Sequence, residues 1–230
     1  HTPKGKKAFE VPRALENSEI KSIVQDYKKA AQRAKSAGLA GVEIHAANGY
    51  LINQFLDAKS NQRSDDYGGN FENRFRFLKE VLEGVLEVYP AHRVGVRFSP
   101  NGIYNDMGSS DFREIFNYVI KNLNSYDLGY LHIMDGLGFG FHEHGSPYTL
   151  DDVRKIYDGN VIGNCGYTPE SAKVAISDNK ADFIAFGRPF ITNPDLPTRI
   201  KNNLEFTPFD DPSKWYGGGA EGYTDYERVK

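Results

Sequence analysis

At 230 residues the chain is long enough to bury one sizeable core, and it reads as a single domain over 1–230. Its formal net charge of −3, with both signs mixed along the chain, offers no basic field for nucleic acid. No apolar run approaches the roughly 18 residues of a membrane span, and no apolar stretch follows the basic start His1–Lys7 as it would in a signal peptide.

The chain begins at His1 rather than Met, as a fragment or a processed chain would. Residues 1–16 read as an extended lead-in. Asn17 and Ser18 are candidate N-caps, and Ile20, Ile23, Val24, Tyr27, Ala31 and Ala34 then recur at helical spacing up to Gly38. A buried strand, Val42 to Ile44, breaks into His45-Ala46-Ala47-Asn48-Gly49-Tyr50. That end carries two hydrogen-bonding side chains and a phenol with a movable proton. It either caps the strand by satisfying loop backbone or forms part of a site. Residues 51–70 read as a long connection, of a kind that is often functional inside a compact domain. Within it, Asp65-Asp66 reads as a solvated loop or cap. A second amphipathic helix covers about Phe71 to Tyr89 and stops at Pro90, and a strand from Arg93 to Phe98 ends in Ser99-Pro100. A helix from Asp111 to Leu123 precedes a strand from Gly129 to Met134, which leaves through the glycine–aromatic loop Asp135 to Phe141. Thr149 with Asp152 resembles a capping box opening a short helix to Tyr157. The strand Val161-Ile162 runs into Gly163-Asn164-Cys165-Gly166, and Thr168-Pro169-Glu170 starts a helix. The strand Asp182 to Phe186 ends in Gly187-Arg188, Asn193-Pro194-Asp195 begins another helix, and the tail from Glu205 is irregular and aromatic.

Helix and short apolar strand thus alternate five times, which means a parallel sheet covered by helices. An open doubly wound sheet and a (β/α) barrel both satisfy that pattern. No Gly-x-Gly-x-x-Gly follows the first strand, and every polar cluster follows a strand's C-terminal end, as in barrels. Five strands do not close an eight-stranded barrel, so either three strands lie outside this chain or the sheet is open.

Two turns suit a phosphate. Gly163-Asn164-Cys165-Gly166 can expose backbone N–H groups before a helix start, and Gly187-Arg188 adds a bare glycine and a guanidinium. In barrels the phosphate site follows the last two strands, where these turns lie. Arg97 sits in an otherwise apolar strand and needs a partner, because an unpaired buried charge is costly. The partner is either Glu43 or Asp135 in an ion pair, or a bound ring whose electron-rich edge it faces, as a reduced, anionic flavin would offer. His142 and His144 lack a further ligand at zinc-type spacing, so no metal is expected. Ser99 and the single cysteine, Cys165, have no neighbouring base for nucleophilic catalysis. One cysteine forms no internal disulfide, which suits a reducing, cytoplasmic compartment. Trp215 and Tyr216 read as anchors of the tail.

The run Gly41-Val42-Glu43-Ile44-His45-Ala46-Ala47-Asn48-Gly49-Tyr50-Leu51-Ile52-Asn53-Gln54-Phe55-Leu56 resembles the signature of the Old Yellow Enzyme family of flavin-dependent ene-reductases. Arg63-Ser64-Asp65-Asp66-Tyr67-Gly68-Gly69, Asn73-Arg74, Arg97-Phe98-Ser99-Pro100, Phe186-Gly187-Arg188 and Asn193-Pro194-Asp195-Leu196 follow in the family's order, and the likeness extends from about Pro12 to Tyr226. The resemblance implies the α/β fold of an FMN-binding (β/α)8 TIM barrel, of which this chain holds the last five βα units, equivalent to strands 4–8, and the C-terminal tail. The part not present supplies a threonine and a glutamine to the flavin in the family. The resemblance assigns His45 and Asn48 to the substrate's carbonyl or nitro oxygen, an oxyanion-type role, and Tyr50 to proton donation at the α-carbon. It places Arg97 beside flavin N1 and O2. Gly187, Arg188, Gly166 and the backbone of Cys165 go to the FMN phosphate, and Tyr223 to the substrate pocket. Many relatives have a second histidine in place of Asn48, and glycine or alanine in place of Cys165. Phe139 or Phe141 is expected to cover the flavin.

The implied activity is reduction of the C=C bond of an enone or nitroalkene, with FMN as cofactor and NADPH or NADH as reductant, and without nucleic-acid or membrane partners. A homo-oligomer is compatible with this reading. The rival reading is a flavin-free or inactive barrel fragment acting at most as a binding module. Another flavin-dependent oxidation or demethylation on the same scaffold is a third.

Overall fold

Short apolar strands that alternate with helices satisfy their backbone only by pairing side by side, and these pair in chain order. The computed structural model describes residues 5, 7–8, 10–208 and 219–229, so Trp215 and Tyr216 lie outside the described residues. Strands β1 (Val42–His45), β2 (Val94–Phe98), β3 (Tyr130–Met134), β4 (Val161–Asn164) and β5 (Phe183–Ala185) form one parallel sheet in the order β1-β2-β3-β4-β5. The helices are α1 (Asn17–Ser36), α2 (Leu51–Leu56), α3 (Phe71–Leu86), α4 (Phe112–Leu123), α5 (Leu150–Arg154), α6 (Pro169–Ser177), α7 (Arg188–Thr192) and α8 (Leu196–Lys201). This is a partial (β/α) barrel, not a doubly wound sheet. In the five-stranded sheet β1 and β5 each have one strand neighbour. Among the described residues no helix is long and apolar enough to cross a membrane.

Alternation along each strand separates the two faces of the sheet. Val94, Val96 and Phe98 of β2 and Leu131 and Ile133 of β3 point to the helices and are fully buried with Ile20 of α1, Phe77, Leu78, Val81 and Leu82 of α3 and Val119 and Ile120 of α4. The alternate positions, Glu43, His45, Arg97, Tyr130, His132 and Asn164, share the other, inner face. That face is polar, whereas barrel interiors are dominated by bulky branched residues.

Two local expectations need correction. The N-cap of α1 is Glu16, not Asn17 or Ser18: the Glu19 carboxylate accepts the Glu16 N–H at 2.8 Å. Asn17 is occupied elsewhere, accepting from Arg63 Nη2 at 2.7 Å. Residues 51–70 are not a bare connection, since α2 fills their first third. Their remainder is held by side chains. Asn61 Nδ2 donates to the carbonyls of Phe55 (2.7 Å) and Tyr67 (2.8 Å), and Arg63 pairs with Asp65 at 2.6 Å and donates to the Leu15 carbonyl. The capping box at Thr149 forms as expected, and Thr168 caps α6 as expected, in a box that it completes with Ser171.

Long loops at a strand-end rim stay ordered only if their backbone is satisfied, and three buried polar side chains do this. Asn101, 1% exposed, donates Nδ2 to the carbonyls of Asp135 and Tyr148 and accepts the Tyr148 N–H at 2.7 Å. Asp57 accepts the N–H groups of Lys59 (2.8 Å) and Gly108 (2.7 Å). Arg74, also 1% exposed, donates to the Leu56 carbonyl at 2.9 Å and pairs with Asp111, joining α2, α3 and α4. Arg74→Met keeps the apolar stem but leaves a carbonyl and a carboxylate without their donor. We expect it to lower stability by about 2–3 kcal/mol, less than for a fully buried pair because Asp111 is one-third exposed. Urea unfolding at constant m-value measures this.

Candidate active site

Parallel pairing brings all five strand C-termini to one rim. At the end of β1 the Ala46 N–H donates to the Arg97 carbonyl at 3.0 Å, and the chain then turns through Asn48 (φ 57°) and Gly49 (φ 67°). Glycine is required in this turn: a Cβ on Gly49 would stand 2.6 Å from the Tyr104 carbonyl oxygen, in the left-handed region. Asn48 tolerates that region because its side chain is short and polar. Its N–H donates to Ser99 Oγ at 2.8 Å, and its carbonyl accepts from Asn105 Nδ2 at 3.1 Å. The Gly49 N–H donates to Asn53 Oδ1 at 2.9 Å, and Gln54 Nε2 donates to the Gly49 carbonyl at 2.6 Å, fastening the turn to α2. Tyr50 becomes the N-cap residue of α2, 54% exposed, with its ring 5.3 Å from the His45 ring. Burial, and then the positive charge of Arg97, hold the half-buried His45 imidazole below its ordinary pKa. At neutral pH it therefore carries one N–H to donate.

The strand register sets Arg97 opposite His45 on one side and His132 on the other. Arg97 does not pair with Glu43 or Asp135, as an ion-pair reading requires. Its Nη2 donates to Asn164 Oδ1 at 2.9 Å, and its Nε is buried without a partner among the described residues. Glu43 reaches past β2 instead, to the His132 ring at 2.9 Å and the Tyr130 hydroxyl. Gly95 makes this crossing possible, because a Cβ there would lie 2.2 Å from the Tyr130 ring. Burial raises the Glu43 carboxyl, but His132, the charge of Arg97 and the Tyr130 hydroxyl outweigh it and hold the pKa low. Asp135 is committed to the Asn164 N–H (3.1 Å) and the Tyr167 hydroxyl (2.6 Å), and burial keeps its pKa raised.

A cavity of about 480 Å³ opens beside Arg97 at the ends of β4 and β5, a size common for ligand pockets. Phe139, Cys165, Gly166, Gly187 and Arg188 line it. Cys165 and Gly166 have φ of 84° and 88°. A Cβ on Gly166 or Gly187 would meet nothing within 4 Å, so both leave bare backbone facing open space. The Arg188 guanidinium stands over the Phe139 ring at 5.1 Å. Phe141 packs against His142 instead, with tilted rings 4.7 Å apart, and does not line the cavity. Tyr223 lies in a C-terminal turn, 53% exposed, and is not among the lining residues. His142 and His144 face the carbonyls of Pro100 and Gly108.

The structure thus gathers Arg97, Cys165, Gly166, Gly187 and Arg188 around one cavity and sets His45 and Tyr50 beside it through the β1–β2 pairing. Sequence reasoning missed three contributors: Ser99 beneath the Asn48 turn, the Asn164 side chain on Arg97, and the Glu43–His132–Tyr130 cluster. The visible signal for the last was polar residues and a glycine inside apolar strands.

The sequence profile of the NADH:flavin oxidoreductase / NADH oxidase family matches residues 2–206. The chain belongs to that family. The family's 12-oxophytodienoate reductase 2 of Arabidopsis thaliana is 36% identical over 223 residues, covering 96% of this chain and 60% of the relative. A chanoclavine-I aldehyde reductase of Penicillium roqueforti is 40% identical, covering 94% and 60%. Among solved structures, the old yellow enzyme homologue from Zymomonas mobilis superposes with a TM-score of 0.94 at 41% identity, covering all of this chain and 64% of that one. Morphinone reductase in complex with tetrahydroNAD gives 0.89 at 40%, covering 98% and 60%. This family member therefore spans about 60% of the length of the curated relatives it matches.

The depressed pKa of His45 has a signed consequence. The folded state takes up this proton less readily than the unfolded chain, so the site favours folding above the ordinary imidazole range and loses that contribution as pH falls through the lowered value. Arg97→Met removes the nearby charge and leaves the burial. By NMR titration the His45 midpoint is expected below that of a free imidazole in the parent and higher in the variant. Equal midpoints exclude Arg97 as a cause.

Proposed function

We propose that this chain is the flavin- and substrate-binding part of an FMN-dependent, NAD(P)H-oxidising reductase of activated alkenes. The observation that carries the reading is the continuity of the rim. A cavity with bare glycine backbone and an arginine at one end is lined at the other by Arg97, whose strand neighbour His45 packs against Tyr50. The fit to FMN rests on chemistry present in the chain. Gly166 and Gly187 leave backbone open where a phosphate needs close approach, with Arg188 beside them, and the buried Nε of Arg97 is a donor still lacking an acceptor.

In this reading Arg188, Gly187, Gly166 and the Cys165 backbone hold the phosphate, Arg97 faces the pyrimidine edge of the ring, and Phe139 flanks it. When bound, FMN carries two electrons from NADPH or NADH to the alkene β-carbon. The chain's own residues do the remainder. His45 and Asn48 donate to the carbonyl or nitro oxygen and stabilise the negative charge that develops there. Tyr50, set at the α2 N-cap, gives its proton to the α-carbon. Tyr223 is given to the substrate pocket by the family resemblance alone.

The test is turnover of cyclohexenone with NADPH or NADH by flavin-loaded protein. Tyr50→Phe is expected to slow alkene reduction by about 100-fold or more, the range of a lost general acid, and to leave flavin reduction by the nicotinamide nearly unchanged. Equal loss in both half-reactions removes Tyr50 from the proton step. Arg188→Ala is expected to release FMN, and undiminished flavin content in that variant refutes the phosphate assignment. A flavin-free binding module is the second reading. Colourless protein that takes up no FMN on titration decides for it.

A further inference from the structure

Arg97 is held in an arrangement that sequence did not suggest. Its one hydrogen-bond acceptor among the described residues is an amide, Asn164 Oδ1 at 2.9 Å. The amide cannot turn round without cost, because Asn164 Nδ2 donates to the Ala185 carbonyl at 2.9 Å. A flip would set a donor against the guanidinium and an oxygen against a carbonyl. The Asn164 backbone is pinned too: its N–H goes to Asp135 Oδ1 at 3.1 Å. Meanwhile the carboxylate best placed to neutralise Arg97 is diverted. Glu43 is tied to His132 at 2.9 Å and to Tyr130, in the space left by Gly95.

We propose that Asn164 is a positioning residue that fixes the Arg97 guanidinium through a neutral acceptor, so that its positive charge remains available to an anionic ligand edge at the strand ends. A carboxylate at 164 would hold the same geometry and cancel the charge. A small residue would leave the charge and lose the geometry. The Tyr130–His132 clasp on Glu43 is the second half of the device, since it keeps that carboxylate out of hydrogen-bond contact with Arg97. The inference deepens the flavin reading: in that reading the anionic edge belongs to reduced FMN, which Arg97 would favour over the oxidised form.

Two readouts need no flavin. In chain labelled with ¹⁵N-arginine, the Arg97 Nη groups are expected as separate, slowly rotating resonances that collapse to an average in Asn164→Ala. An averaged signal in the parent, or separate signals in Asn164→Ala, overturns the anchor. In Asn164→Asp the His45 titration midpoint is expected to rise, because the charge beside it is cancelled. An unmoved midpoint in a folded variant overturns the charge argument, and should that variant not fold, Tyr130→Phe, which loosens Glu43 toward Arg97 without removing a charge that acts on His45, is expected to raise the same midpoint and overturns the argument if it does not. The third readout uses FMN-loaded chain. Asn164→Asp is expected to reduce the preference for reduced over oxidised FMN at least tenfold, which lowers the two-electron potential by about 30 mV. An unchanged potential together with a shifted His45 means that Arg97 does not face the flavin, which fails the flavin placement and keeps the anchor. If no FMN binds, the flavin reading fails and the first two readouts still decide the anchor.

Discussion

Glu43 reaches across β2 to Tyr130 and His132 because Gly95 leaves the crossing clear, and the electrostatics of the rim follow from that reach. A guanidinium and a carboxylate on neighbouring strands of one sheet face would ordinarily pair and cancel. With the carboxylate engaged two strands away, Arg97 rests on a neutral amide and lines the cavity as an arginine with no carboxylate in hydrogen-bond contact among the described residues. His45, set opposite Arg97 by the strand register, feels that charge and stays a neutral hydrogen-bond donor. The cavity beside Arg97 therefore meets one end of the rim as a fixed cation and the other as a polar, uncharged imidazole next to a phenol.

A site of this kind works only if its loops do not yield. Asn48 is left-handed, which is a modest cost for asparagine and a larger one for most residues. It is held by Ser99, which follows β2, and by Asn105 from the loop beyond it. Asn101 and Asp57 fasten the loops after β2 to those after β3 and around α2, and Arg74 fastens α2 to α3 and α4. Each is a buried polar side chain that satisfies backbone of another segment, and the rim is therefore part of the core's hydrogen bonding rather than an appendage of it.

The elements most legible in the sequence were those with local signals. Helix α4 was visible from its apolar spacing, the strands from short apolar runs, and the starts of α5 and α6 from Thr149 and Thr168. The strand-end residues were legible as a group because a parallel sheet sends every strand exit to one side, and the ordered motifs named the family that the chain's profile and relatives bear out. The start of α1 was misread because Asn17, an apt cap in isolation, is taken by Arg63 from a distant loop. Helix α2 was missed because it is six residues long, too short for periodicity to show.

Order and type of the strands and longer helices, the placing of His45, Tyr50, Arg97, Gly166 and Arg188 at or near strand ends, and membership of the family were determined by the sequence itself, since all depend on near neighbours or on ordered motifs. The partner that each buried polar group takes was decided only by the tertiary structure. Arg97 and Asn164 are separated by 67 positions and Glu43 and His132 by 89. Which of several acceptors a guanidinium meets depends on strand register and on the room left by a single glycine. Those are properties of the assembled sheet, because only in it do Glu43, Gly95 and Tyr130 come level with one another.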